Sequence, residues 1–268
     1  MKAWIGNLDK YNEGDLVGDW LELPVSKENM QNFLCEKVGL QLTPEEVHAA
    51  LEKNGVCYEE YFIADIETEL SCYAFDSYEN LDSLNMLAAY EQKAENIEAV
   101  NAYCNNQSID KIQEICNVIL QEDGISLLNM PDYCVNSLIF SDNEKIGYTF
   151  AEINNLEDRF ASAGLSDYFN YFDHESYGRD ISINENPILL GDAIIDVKAC
   201  DIDLNLYSLS ELKEELADTP TQETSERVET DLKKDKSSIR DKLEAMKEHN
   251  AGMGTFGKSA AEKQHIIE

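Results

Sequence analysis

Several groups in this chain have the types and spacing of reactive sites, and each can be tested against the context its chemistry needs. Gly252-Met253-Gly254-Thr255-Phe256-Gly257-Lys258-Ser259 matches the spacing of a phosphate loop, and Gly252, Gly254 and Gly257 match that of a dinucleotide fingerprint. Both motifs work only where a buried strand delivers the loop to a helix N-terminus. Here a charged stretch, 244–250, precedes the loop and nine residues follow Ser259, so no nucleotide site is expected. Asp201-Ile202-Asp203-Leu204-Asn205 opens like a calcium loop. Leu206 stands where such a loop needs glycine and Leu212 where it needs a bidentate glutamate, so only adventitious cation binding is expected. His174 lies between Asp173 and Glu175, an imidazole beside carboxylates. On a loop it reads as an exposed histidine whose pKa the acids raise, not as a catalyst. The seven cysteines, at 35, 57, 72, 104, 116, 134 and 200, are odd in number and form no C-x-x-C, against a disulfide framework or zinc knuckle. Most have apolar neighbours and read as small buried hydrophobes in a reducing cytosol. There is no G-x-S-x-G and no H-E-x-x-H.

What remains is the carboxylates. The 268 residues carry 54 Asp plus Glu against 21 Lys plus Arg, a net charge of −33. Residues 1–216 hold 43 acidic and 12 basic side chains, net −31, whereas 217–268 hold 11 and 9, net −2. The acid therefore belongs to the part with folded character, the reverse of an acidic disordered tail. Such a surface lacks the cations that displace counterions from phosphates, so neither nucleic acid nor an anionic membrane is an expected partner. A basic groove is. Halophilic adaptation or plain solubility would explain the total charge, and an acidic adaptor or scaffold would also carry it. A two-carboxylate hydrolase has ample raw material but no local constellation, and no cofactor or metal is implied.

The elements that must position these groups can be read from periodicity. Residues 3–6 and 16–23 read as antiparallel strands joined by a polar loop, 9–15. Ser26 opens a helix to about Val38. Thr43-Pro44-Glu45-Glu46 is a capping box for a second helix that ends at Asn54-Gly55. A strand is expected over 57–66. From 80 to 122 the apolar period turns helical, with Leu81, Leu84, Leu87 and Ala88 on one face and Ile109, Ile112, Ile115, Cys116 and Ile119 on another, and a third helix over 94–104. Ser141-Asp142-Asn143-Glu144 repeats the capping box and opens a helix to about Ile153. A short aromatic helix is expected over 165–172 and a last strong strand over 187–197. Residues 217–228 read as a linker and 238–249 as a charged helix. With 43% hydrophobic residues the cores are real, and the fold class is α+β in three small domains, 1–70, 71–125 and 126–207, with 208–268 as linker and charged tail. Met1 to Asn7 shows no signal region and no run of 18 apolar residues occurs, so a cytoplasmic protein is expected.

Three motifs carry a resemblance. Trp4-Ile5-Gly6-Asn7-Leu8-Asp9-Lys10-Tyr11-Asn12-Glu13-Gly14-Asp15-Leu16-Val17-Gly18-Asp19-Trp20 resembles the N-terminal signature of the ArdA antirestriction proteins. Tyr58-Glu59-Glu60-Tyr61-Phe62-Ile63-Ala64-Asp65 is similar to the family's next strand, and Tyr171-Phe172-Asp173-His174-Glu175-Ser176-Tyr177-Gly178-Arg179-Asp180 to its late motif. The resemblance covers about residues 1–200. It implies an elongated three-domain homodimer joined through its third domain and imitating a bent DNA duplex. It also implies type I restriction–modification enzymes as targets, in a bacterial host carrying a mobile element. The chain departs from shorter members in its helix near Thr43 to Gly55 and its tail after Leu206. The matched residues read as scaffold. Gly14 and Gly18 would give a tight hairpin its φ values, Trp20, Tyr61 and Phe62 would fill small cores, and Tyr177, Gly178 and Arg179 would hold the late motif, Arg179 by organising carboxylates. The mimic surface is expected to be distributed over Glu13, Asp15, Asp19, Glu22, Glu59, Glu60, Asp65, Glu67, Glu69, Asp76, Glu79, Asp82, Asp142, Glu144, Asp167, Asp173, Glu175 and Asp180, with no catalytic residue.

Overall fold

Alternation at the N-terminus builds the first sheet. In the computed structural model, which describes residues 1–135 and 137–218, β1 (Lys2–Asn7) buries Ala3 and Ile5 and turns Lys2 and Trp4 outward. The expected loop after it is instead a helix, α1 (Leu8–Glu13). Asn7 ends the strand and also caps the helix, its Oδ1 accepting the Lys10 N–H at 2.9 Å, and Gly14 closes it at φ +97°. Asparagine serves turns and N-caps alike, which is why the polar run after it resembled a loop. β2 (Gly18–Glu22) returns antiparallel, with Leu21 opposite Ala3.

Ser26 caps α2 (Lys27–Phe33), which runs on as a π-helical turn, Leu34–Val38, to Gly39. α3 (Pro44–Asn54) carries the capping box on Thr43 and Glu46 and ends at left-handed Gly55, as expected. β3 (Tyr61–Glu67) sets Ile63 opposite Ile5 and completes the order β2-β1-β3, starting four residues later than its aromatic run suggested.

Three helices follow: α4 (Leu81–Glu91), α5 (Ile97–Gln107) and α6 (Ile112–Leu120). Leu84, Leu87, Ile115, Cys116 and Ile119 are buried among them.

β4 (Leu127–Asn129), α7 (Asp132–Val135), α8 (Asp142–Ile153), α9 (Leu156–Ser162), α10 (Ser166–Phe169), α11 (His174–Glu185), β5 (Ile188–Leu190) and β6 (Ala193–Ile195) make the next part. The single strand expected over 187–197 is a hairpin, broken at Gly191, φ +59°, and the sheet order is β4-β6-β5. Met130, Cys134, Ile146, Phe150, Ile181 and Ile194 form its core. Residues 201–207 then return across α6. Asn117 Nδ2 donates to the carbonyls of Leu204 and Tyr207, and Gln121 both donates to and accepts from the Asp203 backbone.

α12 (Leu209–Asp218) lies where a linker was expected. Leu212 is fully buried, and its carbonyl accepts the Tyr90 hydroxyl at 3.1 Å. The chain divides into two units, Met1–Leu212 and Lys213 onward, the described part of the second being the end of α12. Beyond Asp218, the rest of the expected linker, the helix at 238–249 and the glycine-rich motif at 252–259 lie outside the described residues. The fold class is therefore α+β, with two small antiparallel sheets among many helices.

Candidate functional surface

The register of the first sheet sorts its polar and aromatic residues onto one outer face. Lys2 lies between Glu22 on β2 and Glu67 on β3, and Trp4 between Trp20 and Asp65. Lys2 Nζ is 2.8 Å from Glu67 and 4.9 Å from the centre of the Trp20 ring. The Glu67 carboxylate holds the Lys2 ammonium above its ordinary pKa. A Cβ at Gly6 would meet the Trp4 and Phe62 rings at 2.6 Å, and one at Gly18 would strike the Ile5 carbonyl and the Trp4 ring. Gly18 thus serves close approach, whereas the expected positive φ occurs at Gly14. Trp20 and Phe62 do not fill the interior as expected: half-buried, they pave the outer face. Tyr61 reaches α4, its hydroxyl accepting the Leu81 N–H at 3.2 Å.

The carboxylates singled out in the sequence are exposed, except Glu79 and Glu144, which are half-buried. Glu13 pairs with Lys10 at 2.6 Å and also takes the Tyr58 hydroxyl; Lys10 holds its carboxyl below the usual range. Asp19 meets Lys37 at 3.9 Å. Asp15, Glu59, Glu60 and Glu69 flank the first sheet's connections. Asp76 accepts the Tyr78 N–H at 2.9 Å, and Glu79 accepts the Tyr73 hydroxyl at 3.4 Å. Asp82, Asp142, Glu144, Asp167 and Glu175 occupy first turns of helices. Asp173 caps α11, and the Ser176 N–H and hydroxyl hold its carboxyl below the ordinary range. Asp180 stands exposed on the same helix. Sequence reasoning passed over further first-turn acids, Glu28, Glu45, Glu98, Glu157 and Asp158; the capping pattern was the signal available for them.

First turns suit carboxylates. The aligned peptide dipoles leave about half a positive charge there, worth roughly 0.3–1 kcal/mol to an acid. With 43 acids against 12 bases in residues 1–216, one-to-one pairing would leave 31 acids over. Helix starts therefore ease a repulsion that ion pairs are too few to quench.

The late motif resolves into packing. α11 crosses α8 so closely that a Cβ on Gly178 would strike the Asn143 carbonyl, and one on Gly147 the His174 carbonyl. Tyr177 is half-buried against the second core. Arg179 donates to Ser176 Oγ at 3.1 Å, and that hydroxyl donates to Asp173, so Arg179 acts on a carboxylate through a serine.

His174 departs from expectation. It is half-buried, stacked on Tyr148 at 3.9 Å with Phe169 and Phe172 edge-on, and burial holds its pKa below the ordinary value. A hydrogen bond to the Phe172 backbone and, after it, the Asp173 and Glu144 carboxylates pull the other way, but desolvation wins.

The profile of a known family, described as antirestriction protein (ArdA), matches residues 3–196. The chain belongs to the ArdA antirestriction family. No curated protein matches it. Membership in the ArdA family, a family of non-enzymatic antirestriction proteins, implies antirestriction activity and interaction with restriction–modification enzymes. The matched span contains both sheets except Lys2, the α8–α11 crossing and every carboxylate of the expected mimic surface. Among the described residues no helix is long and apolar enough to cross a membrane.

Proposed function

We propose that this ArdA protein is a DNA mimic, which occupies the DNA-binding groove of a type I restriction–modification enzyme through its distributed Asp and Glu side chains. One observation carries the reading: net −31 over residues 1–216, with the carboxylates of both sheet regions and the helix starts turned to solvent. Duplex DNA carries one charge per about 1.7 Å, so 31 charges equal the charge of roughly 50 Å of duplex. A basic groove evolved for phosphates meets a comparable field and releases its own counterions. The reading includes the three-part division at about residues 70 and 125, an elongated homodimer joined through the third part, and action in the cytoplasm of a bacterium that hosts a mobile element.

The test is inhibition of a purified type I enzyme with rising DNA. Stoichiometric inhibition that DNA relieves competitively is expected. Single substitutions such as Glu22→Gln, Asp65→Asn or Asp180→Asn should each weaken inhibition by less than about threefold, an energy under ~0.7 kcal/mol. Inhibition that persists at saturating DNA, or a single carboxylate whose loss abolishes it, overturns the reading and favours a localised site.

A further inference from the structure

At His174, the first residue of α11, side chains of α7, α8, α9 and α10 join it in lining an open-sided cavity of about 450 Å³ that the mimic surface does not account for. Four rings line it: Tyr133, Tyr148, Phe169 and His174. Tyr133 meets Tyr148 edge-on at 5.5 Å and 90°, so two walls stand perpendicular, and His174 backs Tyr148. Three carboxylates complete the lining. Glu152 follows Tyr148 by one turn on α8, and Glu157 and Asp158 sit in the first turn of α9. Among the described lining residues none is lysine or arginine.

Aromatic faces attract large, weakly hydrated cations through their quadrupole, and carboxylates add charge and hydrogen-bond acceptors. A small metal ion would need several oxygen or nitrogen ligands held together. Among the described residues no three His, Cys, Asp or Glu side chains are so grouped. Anions are repelled. The volume lies within the ordinary range for small-molecule pockets and admits an arginine side chain or a diamine. Burial keeps His174 neutral near pH 7, so it contributes a ring without an opposing charge.

We infer that this cavity is a binding site for an organic cation, a guanidinium or alkylammonium group held between the Tyr133 and Tyr148 rings and the carboxylates of Glu152 and Glu157. The group comes either from a free polyamine-type molecule or from an arginine or lysine of the bound enzyme. The second source rests on the mimic reading; the site itself does not.

The experiment uses the full chain, ¹⁵N-labelled, titrated with agmatine at constant ionic strength and compared with Mg²⁺. Saturable shifts confined to residues around Tyr133, Tyr148, Glu152 and His174 are expected. The dissociation constant should rise about tenfold in the Glu152→Gln/Glu157→Gln double variant and in Tyr133→Leu. All three substituted residues are exposed, and a thermal melt of each variant checks that the fold is kept, since Tyr133 also packs edge-on against Phe140 and Tyr148. The Glu22→Gln/Glu67→Gln control on the first sheet should leave it unchanged. Shifts spread over the acidic surface without saturation, an equal response to Mg²⁺, or indifference to the cavity variants overturns the proposal. Enzyme inhibition by the same variants separates the sources. Inhibition weakened in parallel with agmatine affinity identifies an enzyme side chain, and unchanged inhibition identifies a free organic cation. If the unaltered protein failed to compete with DNA, the mimic reading would fall while the agmatine result stood.

Discussion

Replacing Gly178 by alanine separates scaffold from binding surface in the late motif. A methyl group there would strike the Asn143 carbonyl oxygen and come within 2.6 Å of the Gly147 nitrogen. Both obstacles are backbone of α8, so no side chain can rotate away. Overpacking of a core typically costs about 1–3 kcal/mol, and rigid backbone on the facing side puts this position at ~3 kcal/mol or above. Alanine gains about 1 kcal/mol over glycine in helix propensity. The clash therefore wins by at least ~2 kcal/mol. For a domain of this size each kcal/mol moves the melting temperature by about 2–4 °C, so Tm should fall by roughly 4–8 °C in a thermal melt followed by circular dichroism. Arg179→Ala is the control. The guanidinium is exposed and touches Ser176, so its loss should cost less than about 0.5 kcal/mol and leave inhibition within twofold. A Gly178→Ala protein that melts with the unaltered one refutes the steric argument. An Arg179→Ala protein that melts normally but no longer inhibits would make the motif part of the binding surface.

Three further outcomes are expected. Affinity for the restriction enzyme should fall more than about tenfold between 0.1 and 1 M salt, as the Debye length shrinks from ~10 to ~3 Å; a flat salt dependence in a binding titration would indicate an apolar interface. Burial lowers the folded pKa of His174 below the unfolded value of about 6.5. Its contribution to stability is therefore complete above that pH and is lost as pH falls through the folded pKa. The unaltered protein should lose stability between pH 7 and 5 more steeply than His174→Phe in matched melts, and identical slopes would refute the assignment. A chain ending at Asp218 should inhibit within twofold of the full chain, since the residues removed, 219–268, hold 10 acidic and 9 basic side chains and add only −1. One ending at Tyr207 removes Leu212 from beside Tyr90 and should melt clearly lower, a buried leucine being worth about 2–5 kcal/mol.

Local signals with their own stereochemistry were legible in the sequence. Thr43 with Glu46 and Ser141 with Glu144 placed two helix starts to the residue, because a capping box satisfies backbone donors within four residues. The helical period of Leu81, Leu84, Leu87 and Ala88 placed α4 and its buried face. What eluded reading depended on distant neighbours. Gly18 resembled a turn glycine because nothing local reveals that Trp4 lies over it. His174 resembled an exposed loop residue because Asp173 and Glu175 are adjacent, whereas Tyr148, 26 positions away, supplies the burial. Leu212 resembled the start of a linker because the charges around it mask a short stripe, Leu209, Leu212 and Leu216, and its partner Tyr90, whose hydroxyl meets its carbonyl, lies 122 positions away. The carboxylate surface was legible as a total and not as a pattern, since charge counts carry no geometry.

The placement of those carboxylates bears on how one chain can be both folded and so acidic. An acid in the first turn meets the positive end of its helix, which offsets part of its charge locally. The matching negative end lies at the last turn, and α4, α5, α6, α8, α10 and α11 carry no basic residue there. A helix with a single first-turn acid, such as α5 with Glu98, then shows about half a negative charge at its start and half at its end, separated by its length, while α8, with Asp142 and Glu144 in its first turn, carries about one charge more at its start. For the 12 residues of α8 that separation is about 18 Å. Point charges become smeared along rods, which lowers the repulsion between neighbouring acids without reducing the net field. A groove shaped for a ladder of phosphates responds to that spread field more than to any single carboxylate. Neutralising one acid should therefore do little to binding, while removing a helix or separating two of them should do much.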